Sequence, residues 1–375
     1  MKPQRINSIE VKKMNRNAIY KYLYRREPLS IQEIAASLGL SLPTVTHNIK
    51  ELQERGLVME TGQFESTGGR KARAIAYNPR ARYAIGLDIT RNHVAIVMID
   101  LSATVVHHVR TNFSFRNDPA YFAGVGRLVE RFIHDTEIAR DSILGVGIAL
   151  PAILSHDNRK VEFAVVIDFM GGTIEHFSEH IPYPCVFVND ANAGGMAEFW
   201  GDEQIRNVVY LSLNNSVGGS IIINGNLYPG LNQRSGEFGH MTIVPGGRRC
   251  YCGQLGCVDA YCNAKILSDS ADGSIRKFFD LLRQGSARHL QIWEEYVSHL
   301  VTTVNNLRML YDCNVIVGGY VGAYLDEHLD ELRHLLAARN TFERDGTYLQ
   351  ACRYKLEATA VGAALQFVKP FIDQV

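Results

Sequence analysis

Between residues 15 and 56 the apolar positions recur at helical spacing in three successive segments. The first, NRNAIYKYLYRR (15–26), places Ile19, Tyr22 and Leu23 on one face, and Pro28 ends it. Ser30 opens the second, SIQEIAASLG, with Glu33 three residues on as a capping box and Gly39 as its stop. Ser41 opens the third, LPTVTHNIKELQERG, with Pro43 in its first turn and Gly56 at its end. Ile34, Ala35, Leu38, Val45, Ile49 and Leu52 supply the apolar stripe. Two short helices joined by a Gly-containing turn, the second polar on its outer face, predict a helix-turn-helix. Leu57–Tyr77 then turns to two β-prone runs around a Gly-rich basic tip, which predicts a wing hairpin.

Beyond Pro79 and Arg80, which mark a hinge, strands and helices alternate as in an α/β body. Tyr83–Leu101 reads as two strands with a tight turn at Thr90–Asn92, Thr104–Phe115 as a third strand, and Pro119–Arg140 as a helix. Ile143–Ala149 is a buried strand ending at Pro151. Cys185–Val188 is another, and its end delivers Asn189 and Asp190. A helix of small residues follows over 191–201. Val208–Leu213 and Ser220–Ile223 pair around a loop at Asn214–Gly219. Ile292–Leu310 is a long amphipathic helix, Val315–Val317 a strand running into Gly318–Gly319, and Leu356–Val368 a closing helix. Antiparallel strands precede a parallel crossover in each half, which predicts two similar lobes with a cleft between them. The expected division is a winged helix-turn-helix head over 1–80, a first lobe over 81–195 completed by the C-terminal helix 356–375, and a second lobe over 196–355 carrying a dimerisation surface.

The composition, 46% apolar and 21% charged over 375 residues, is that of a soluble globular protein of two or three domains. No apolar run approaches the roughly 20 residues of a membrane helix, and the first twenty residues lack the apolar core of a secretion signal. The expectation is a cytoplasmic chain with no membrane insertion. Net charge is zero but uneven: residues 1–80 hold 14 Lys+Arg against 7 Asp+Glu, and the rest 25 against 32. A basic head on an acidic body points to a polyanion as the head's partner. Thr44, Thr46, His47 and Lys50 are then candidates for the major groove of double-stranded DNA, and Arg70, Lys71 and Arg73 for phosphates or the minor groove. The blander alternative is a protein-binding three-helix module whose charges are merely solvated.

Two clusters carry chemistry. His240 followed by Cys250, Cys252 and Cys257 supplies one imidazole and three thiolates, a closed tetrahedral set for a structural Zn2+, and Gly246, Gly247, Gly253 and Gly256 let the backbone turn around it. Seven cysteines is an odd number for a disulfide framework, and a chain this long needs no staples. The second cluster is Asn189, Asp190, Glu237, His240 and Asp259. Planar acceptors and amides of this kind bond adjacent sugar hydroxyls, each of which both donates and accepts. Asp190 is also a candidate general base on a sugar hydroxyl. The Asn189–Asp190 pair fits a helix N-cap equally well.

VFVNDANA, then GEFGH, then CYCGQLGC, in this order and spacing, resemble the ROK family (repressors, open reading frames and sugar kinases), and the resemblance covers nearly the whole chain. With its winged-helix head the chain is similar to the repressor branch, whose members sense xylose, glucose uptake or N-acetylglucosamine metabolism. The resemblance implies a two-lobed, actin-like ATPase-fold body of the hexokinase type. It also implies zinc on His240, Cys250, Cys252 and Cys257, and a sugar pocket of Asn189, Asp190, Glu237, His240 and Asp259. Asp168 stands where the family usually has Asn, and Asp259 where it commonly has Glu. Kinases of the family carry a D-x-G-x-T-type turn; here Asp88–His93 holds no glycine. Their second loop, G-T-G-V-G-G-G, is here Asn214–Ser220 with only Gly218 and Gly219 kept. Such loops fit phosphoryl transfer poorly, and Asp190 becomes a vestigial base. The expected function is therefore a sugar-responsive DNA-binding regulator, a repressor of carbohydrate transport or catabolism genes rather than an enzyme. A sugar or sugar phosphate in the cleft would change operator binding by a homo-oligomer, dimer or tetramer. The alternatives are an ATP-dependent sugar kinase with a regulatory role, and a regulator titrated by a partner protein.

Overall fold

A computed structural model describes residues 8–64, 72–201 and 205–375. The head consists of α1 (Ser8–Leu23), α2 (Ile31–Leu38), α3 (Leu42–Glu54) and a hairpin of β1 (Val58–Gln63) and β2 (Arg73–Tyr77). Its caps are those the sequence announces. The Ser30 side chain accepts from the Glu33 N–H at 3.2 Å, and the Glu33 carboxylate accepts from the Ser30 N–H at 2.7 Å. Ser41 accepts from the Thr44 N–H at 3.3 Å. α1 begins seven residues earlier than the apolar spacing suggests, because nothing between residues 8 and 14 breaks a helix. Lys12 of this extension and Arg16 just after it pair with Glu51 on α3. Tyr20, not Tyr22, takes the buried position; the Tyr22 hydroxyl reaches Ser37 Oγ at 2.8 Å at the surface.

The body is built on two sheets with one strand order. In the first lobe β3 (Tyr83–Ile89), β4 (His93–Asp100), β5 (Val105–Asn112) and β6 (Ile143–Leu150) precede a small hairpin, β7 (Ile153–Leu154) and β8 (Val161–Phe163), and then β9 (Cys185–Asn189). The sheet runs β5-β4-β3-β6-β9. In the second lobe β10 (Val208–Leu213), β11 (Val217–Ile223), β12 (Asn226–Leu227), β13 (Asn314–Gly318) and β14 (Leu349–Ala351) form a sheet in the order β12-β11-β10-β13-β14. Each sheet pairs its first three strands antiparallel and its last two parallel. This is the duplicated pattern expected from the alternation of elements. β11 starts at Val217, three residues before the expected Ser220, so the loop before it is shorter than anticipated.

Helices cover the sheets. In the first lobe α4 (Pro119–Asp135) and the short α5 (Glu175–Ser178) pack around Phe122, Phe169, Phe177 and Phe187. α6 (Asp190–Phe199) follows β9 without a loop. In the second lobe α7 (Asp259–Cys262), α8 (Ala264–Ser268), α9 (Ile275–Arg283), α10 (Ala287–Tyr311), α11 (Gly319–Gly322) and α12 (Leu329–Arg339) enclose a core that includes Phe278, Phe279, Trp293, Tyr296 and Leu300.

The last helix, α13 (Ala358–Gln374), returns to the first sheet and lies directly on β3 and β6. Glycine makes that approach feasible: a Cβ on Gly86 would sit 1.8 Å from the Ala360 carbonyl oxygen, and one on Gly147 1.9 Å from that of Ala363. Neither clash is with a flexible side chain. Gly147→Ala is expected to cost about 3 kcal/mol by prying helix from sheet, read as a lower urea midpoint at unchanged slope.

α13 also carries the head. Ile19, Tyr20 and Leu23 of α1 share one buried cluster with Val361, Leu365, Ile372 and Val375. Asn17 Nδ2 donates to the Ile372 carbonyl at 3.1 Å, and the Tyr24 hydroxyl to the Leu101 carbonyl at 2.6 Å. The head is thus seated on the body through the helix that backs the first sheet.

Candidate functional site

Strand β9 ends and α6 begins at the cleft, and this junction places Asn189 and Asp190. Asn189 is the N-cap: its Oδ1 accepts from the Asn192 N–H at 2.9 Å, and its Nδ2 donates to the Ala152 carbonyl at 3.1 Å. Asp190 Oδ1 accepts from the Ala191 N–H at 2.9 Å. The two residues line a chamber of about 280 Å³ together with Arg234, Glu237, His240 and Tyr251. Burial and the neighbouring Asp88 push the Asp190 carboxyl up to about 7. Asp88 itself is pushed up by burial to about 6, with Arg110 opposing the shift. Burial also raises Glu237, against the pull of His240 and Arg234.

Asp259 lies elsewhere. It is buried behind the chamber, and its Oδ1 accepts from the Val217 N–H at 2.7 Å. The carboxylate holds the start of β11 in place and does not line the chamber. Asp168 is exposed and does not line the chamber; it borders an adjoining depression with Arg91 and Arg116.

The His/Cys cluster converges. The ligand atoms of His240, Cys250, Cys252 and Cys257 all lie within 4.8 Å of one another. Cys252 Sγ is 3.8 Å from Cys257 Sγ, and Cys250 Sγ is 3.9 Å from His240 Nδ1. A tetrahedron with metal–sulfur bonds of about 2.3 Å has edges of about 3.8 Å, so the spacing suits a metal ion of that size. Isolated bridges Thr242–Cys257 and Arg249–Leu255 hold the loop, and Gly256, at φ 82°, leaves no room for a side chain against the Val244 carbonyl. Nδ1 of His240 faces the cluster while its Nε2 meets the Tyr251 hydroxyl at 3.2 Å. The metal-type loop therefore forms part of the chamber wall.

A second chamber of about 360 Å³ continues from the first; Asp190, Ser216 and Tyr251 border both. The β3–β4 turn and the Asn214–Ser216 loop face each other across it. His93 closes the turn: its Nδ1 lies 2.9 Å from Thr90 Oγ1 and its Nε2 3.2 Å from the hydroxyl of Tyr320 in the other lobe. Arg110 donates to the same hydroxyl at 3.1 Å. Burial, with Arg110 nearby, lowers His93 to about 4 and keeps it neutral at pH 7. Gly219, expected as part of a loop, is strand backbone beneath Phe238, where a Cβ would meet the ring at 2.3 Å.

Sequence reasoning misses Arg234, Tyr251 and Tyr320. Arg234 and Tyr251 flank the expected site residues, yet nothing in their spacing signals that they turn toward the cleft. Tyr320 comes from the opposite end of the chain.

In the head, Thr46, His47 and Lys50 stand exposed on α3, while Thr44 Oγ1 lies 2.8 Å from Ser41 Oγ at the cap. His47 and Lys50 lie beside Glu51 and Glu54. Arg73 contacts Glu60 across the hairpin at 3.2 Å. Arg70 and Lys71 lie outside the described residues. Lys50→Ala is expected to change which bases are preferred at one position of a DNA site, by roughly 1–3 kcal/mol, while leaving the salt slope nearly unaltered. Comparison of selected sequences and of salt titrations checks both.

Comparisons with known proteins follow the same division. A family model described as ROK matches residues 84–369, and a winged helix-turn-helix DNA-binding model matches residues 15–59. The chain is 26% identical to a xylose repressor of Bacillus spizizenii over 97% of each chain. It is 28% identical to an N-acetylglucosamine repressor of Shigella flexneri over 73% of this chain and 67% of that one. A solved ROK transcriptional regulator, described as a homolog of the Escherichia coli MLC protein, superposes with a TM-score of 0.74 at 18% identity, covering 97% of each chain. A ROK glucokinase of Streptomyces griseus in complex with glucose and AMPPNP superposes at 0.62 and 22% identity, covering 76% of this chain and 99% of that one. These structural likenesses establish the winged-helix and two-lobed ATPase-type fold. Among the described residues no helix is long and apolar enough to cross a membrane.

Proposed function

The chain belongs to the ROK family, and from that premise we propose that it is a DNA-binding transcriptional regulator, a repressor whose operator affinity is set by a carbohydrate in the interlobe cleft. The observation that carries this reading is a continuous packed path between cleft and head. Asp190 begins α6, and α6 packs on α13, with Gly362 pressed against the Ala193 carbonyl. The far end of α13 holds α1. A ligand that draws on Asp190 and brings the lobes together bears on α6, and through α13 on the seat of the head.

Roles follow for the residues of the cleft. Asn189 positions the wall, Asp190 and Glu237 accept from sugar hydroxyls, and Asp259 and Tyr251 hold the surrounding loops. His240, Cys250, Cys252 and Cys257 hold a structural zinc; when bound, it cross-links the loop that carries His240 and Tyr251 into the cleft. In a two-fold dimer the two α3 helices read half-sites about 34–36 Å apart, so a small change in the seat of each head mismatches the operator. Such a protein works in the cytoplasm, beside the genes it controls.

A sugar kinase is the second reading, favoured by Asp190 with a carboxyl tuned to about 7, as a general base requires. Against it stands the β3–β4 turn, which has no glycine and is closed by His93 and Tyr320. Positioning of a phosphoryl donor is what such a turn must supply. Selection of binding sites from random DNA with purified protein tests the first reading: enrichment of a palindrome supports it, and no enrichment sinks it. Release of ADP over a panel of hexoses, abolished in Asp190→Asn, would instead establish the kinase.

A further inference from the structure

Tyr320, on α11 of the second lobe, reaches across the cleft to two side chains of the first. Its hydroxyl lies 3.2 Å from His93 Nε2 and accepts from Arg110 Nη2 at 3.1 Å. The Arg110 guanidinium also stands 5.2 Å from the centre of the Tyr320 ring. Sheet register explains why the two partners converge. Arg110 of β5 pairs with Ala95 of β4, and His93 is two residues from Ala95 along the same strand. The two side chains are therefore diagonal neighbours on one face of the sheet. Thr90 Oγ1, 2.9 Å from His93 Nδ1, fixes the imidazole. Tyr320 is held as firmly on its own side. Its N–H donates to Asn214 Oδ1 at 2.9 Å. The turn before it has Gly319 at φ 77°, where a Cβ would stand 2.7 Å from that same oxygen.

We propose that Tyr320 is an interlobe latch: its hydroxyl, gripped by His93 and Arg110, biases the cleft toward the closed arrangement. All three partners belong to the chain, so the latch forms whether or not the cleft is occupied. Tyr320 borders the second chamber and not the first. It therefore draws the lobes together without competing for a carbohydrate beside Glu237 and His240. That benefit to a ligand rests on the carbohydrate reading of the cleft; the latch itself does not.

The hydroxyl, rather than the ring, carries the effect. In an open cleft water satisfies all three groups. In the closed one His93 is 7% exposed, and among the described residues the Tyr320 hydroxyl is the partner of its Nε2. Loss of the hydroxyl alone leaves that nitrogen buried and unpaired, and only when the lobes are closed. A penalty that falls on one of two arrangements shifts the balance between them. The affinity of a ligand that binds the closed form scales with the fraction already closed, so the latch lowers the work left to the ligand.

Hydrogen–deuterium exchange of full-length wild type and Tyr320→Phe, with no sugar added, reads the latch directly. Phenylalanine keeps the ring and its packing. Exchange is expected to rise severalfold in the two segments that face each other across the second chamber, 88–93 and 212–216, and to stay as it is in α10, within the core of the second lobe. Arg110→Met is expected to give a similar rise, and the double variant little more than either single one, since both break the same contact. Titration calorimetry with free pentoses, hexoses and N-acetylhexosamines follows the consequence. Any sugar that wild type binds should bind Tyr320→Phe roughly tenfold more weakly. No rise in the two segments overturns the inference. So does a rise spread over the whole chain with a lower urea midpoint, which marks an ordinary structural residue, and so do additive effects of the two substitutions. Equal affinity of wild type and Tyr320→Phe for a bound sugar overturns it as well. If wild type binds no sugar at all, the carbohydrate reading fails, and the exchange experiment still decides the latch.

Discussion

Cys257→Ser is expected to strip the protein of bound zinc and to unfold the second lobe at ordinary growth temperature. Cys257 is fully buried, with its sulfur 3.8 Å from that of Cys252. Structural zinc binding contributes roughly 10–16 kcal/mol in small zinc modules, against about 5–15 kcal/mol for the net stability of a whole domain. Besides the cluster, the loop 246–257 is held by a few main-chain hydrogen bonds, such as Cys250 N–H to the Gln254 carbonyl and Gly256 N–H to the Arg248 carbonyl. Its backbone turns through Gly246, Gly253 and Gly256 at positive φ, and Cys252 is exposed. The checks are metal analysis of the purified protein and thermal melts with and without a chelator. Wild-type protein should carry about one zinc per chain and lose at least roughly 10 °C in Tm on chelation. Cys313→Ser, which removes a buried thiol away from the cluster, should keep its zinc. A wild-type protein that melts identically with and without chelator would refute the structural role.

Asp190→Asn is expected to abolish sugar binding, by roughly 100-fold or more, and at the same time to stabilise the protein. The two effects have one cause. The carboxyl is held at about 7 in the fold because burial and Asp88 disfavour its charge, against about 3.9 in an unfolded chain. The folded state therefore binds the proton more tightly, and wild-type stability falls as pH rises from about 4 to about 7, then levels off. Below about pH 4 the group is neutral in both states, so wild type and variant differ little. Above about pH 7 the variant, free of the charge, should be the more stable by about 2 kcal/mol. The full shift would give twice that, but Asp190 borders a solvent-accessible cavity. Urea melts of both proteins at several pH values read this directly. Equal stability at pH 8 would mean that the Asp190 charge is not under strain. The asparagine keeps the size and one acceptor, yet it cannot take a strong charge-assisted bond from a hydroxyl. A site that binds its ligand at the expense of the empty fold is the expected compromise in a functional cleft.

Much of the fold is legible in the amino-acid sequence alone. The head can be read almost to the residue because capping is local chemistry: Ser30 with Glu33, Ser41 with Thr44, and Gly39 at φ 65° each act within one turn. The metal-type cluster is legible because four ligands fall within eighteen residues, so little depends on the rest of the fold. The lobes are legible as a repeat of strand patterns. What escapes is everything set by distant partners. The loop before β11 is shorter than expected because Asp259, more than forty residues away, takes the Val217 N–H. The same bond draws Asp259 out of the sugar-lining set that its position suggests. Tyr320 reaches His93 across 227 positions of sequence, and no periodicity reports such a pair. The seating of α1 on α13 joins the two ends of the chain and is visible only as packing.

A regulator of this build stands or falls on whether a carbohydrate in the cleft sets the affinity of the head for its operator. Fluorescence anisotropy on the DNA site selected by the full-length protein decides it, titrated with and without each sugar and sugar phosphate that raises the Tm. At least one of these ligands should change the operator Kd tenfold or more in wild type, and the same ligand should change nothing in Asp190→Asn. An operator Kd that is identical with and without every such ligand would show that cleft and head are not coupled.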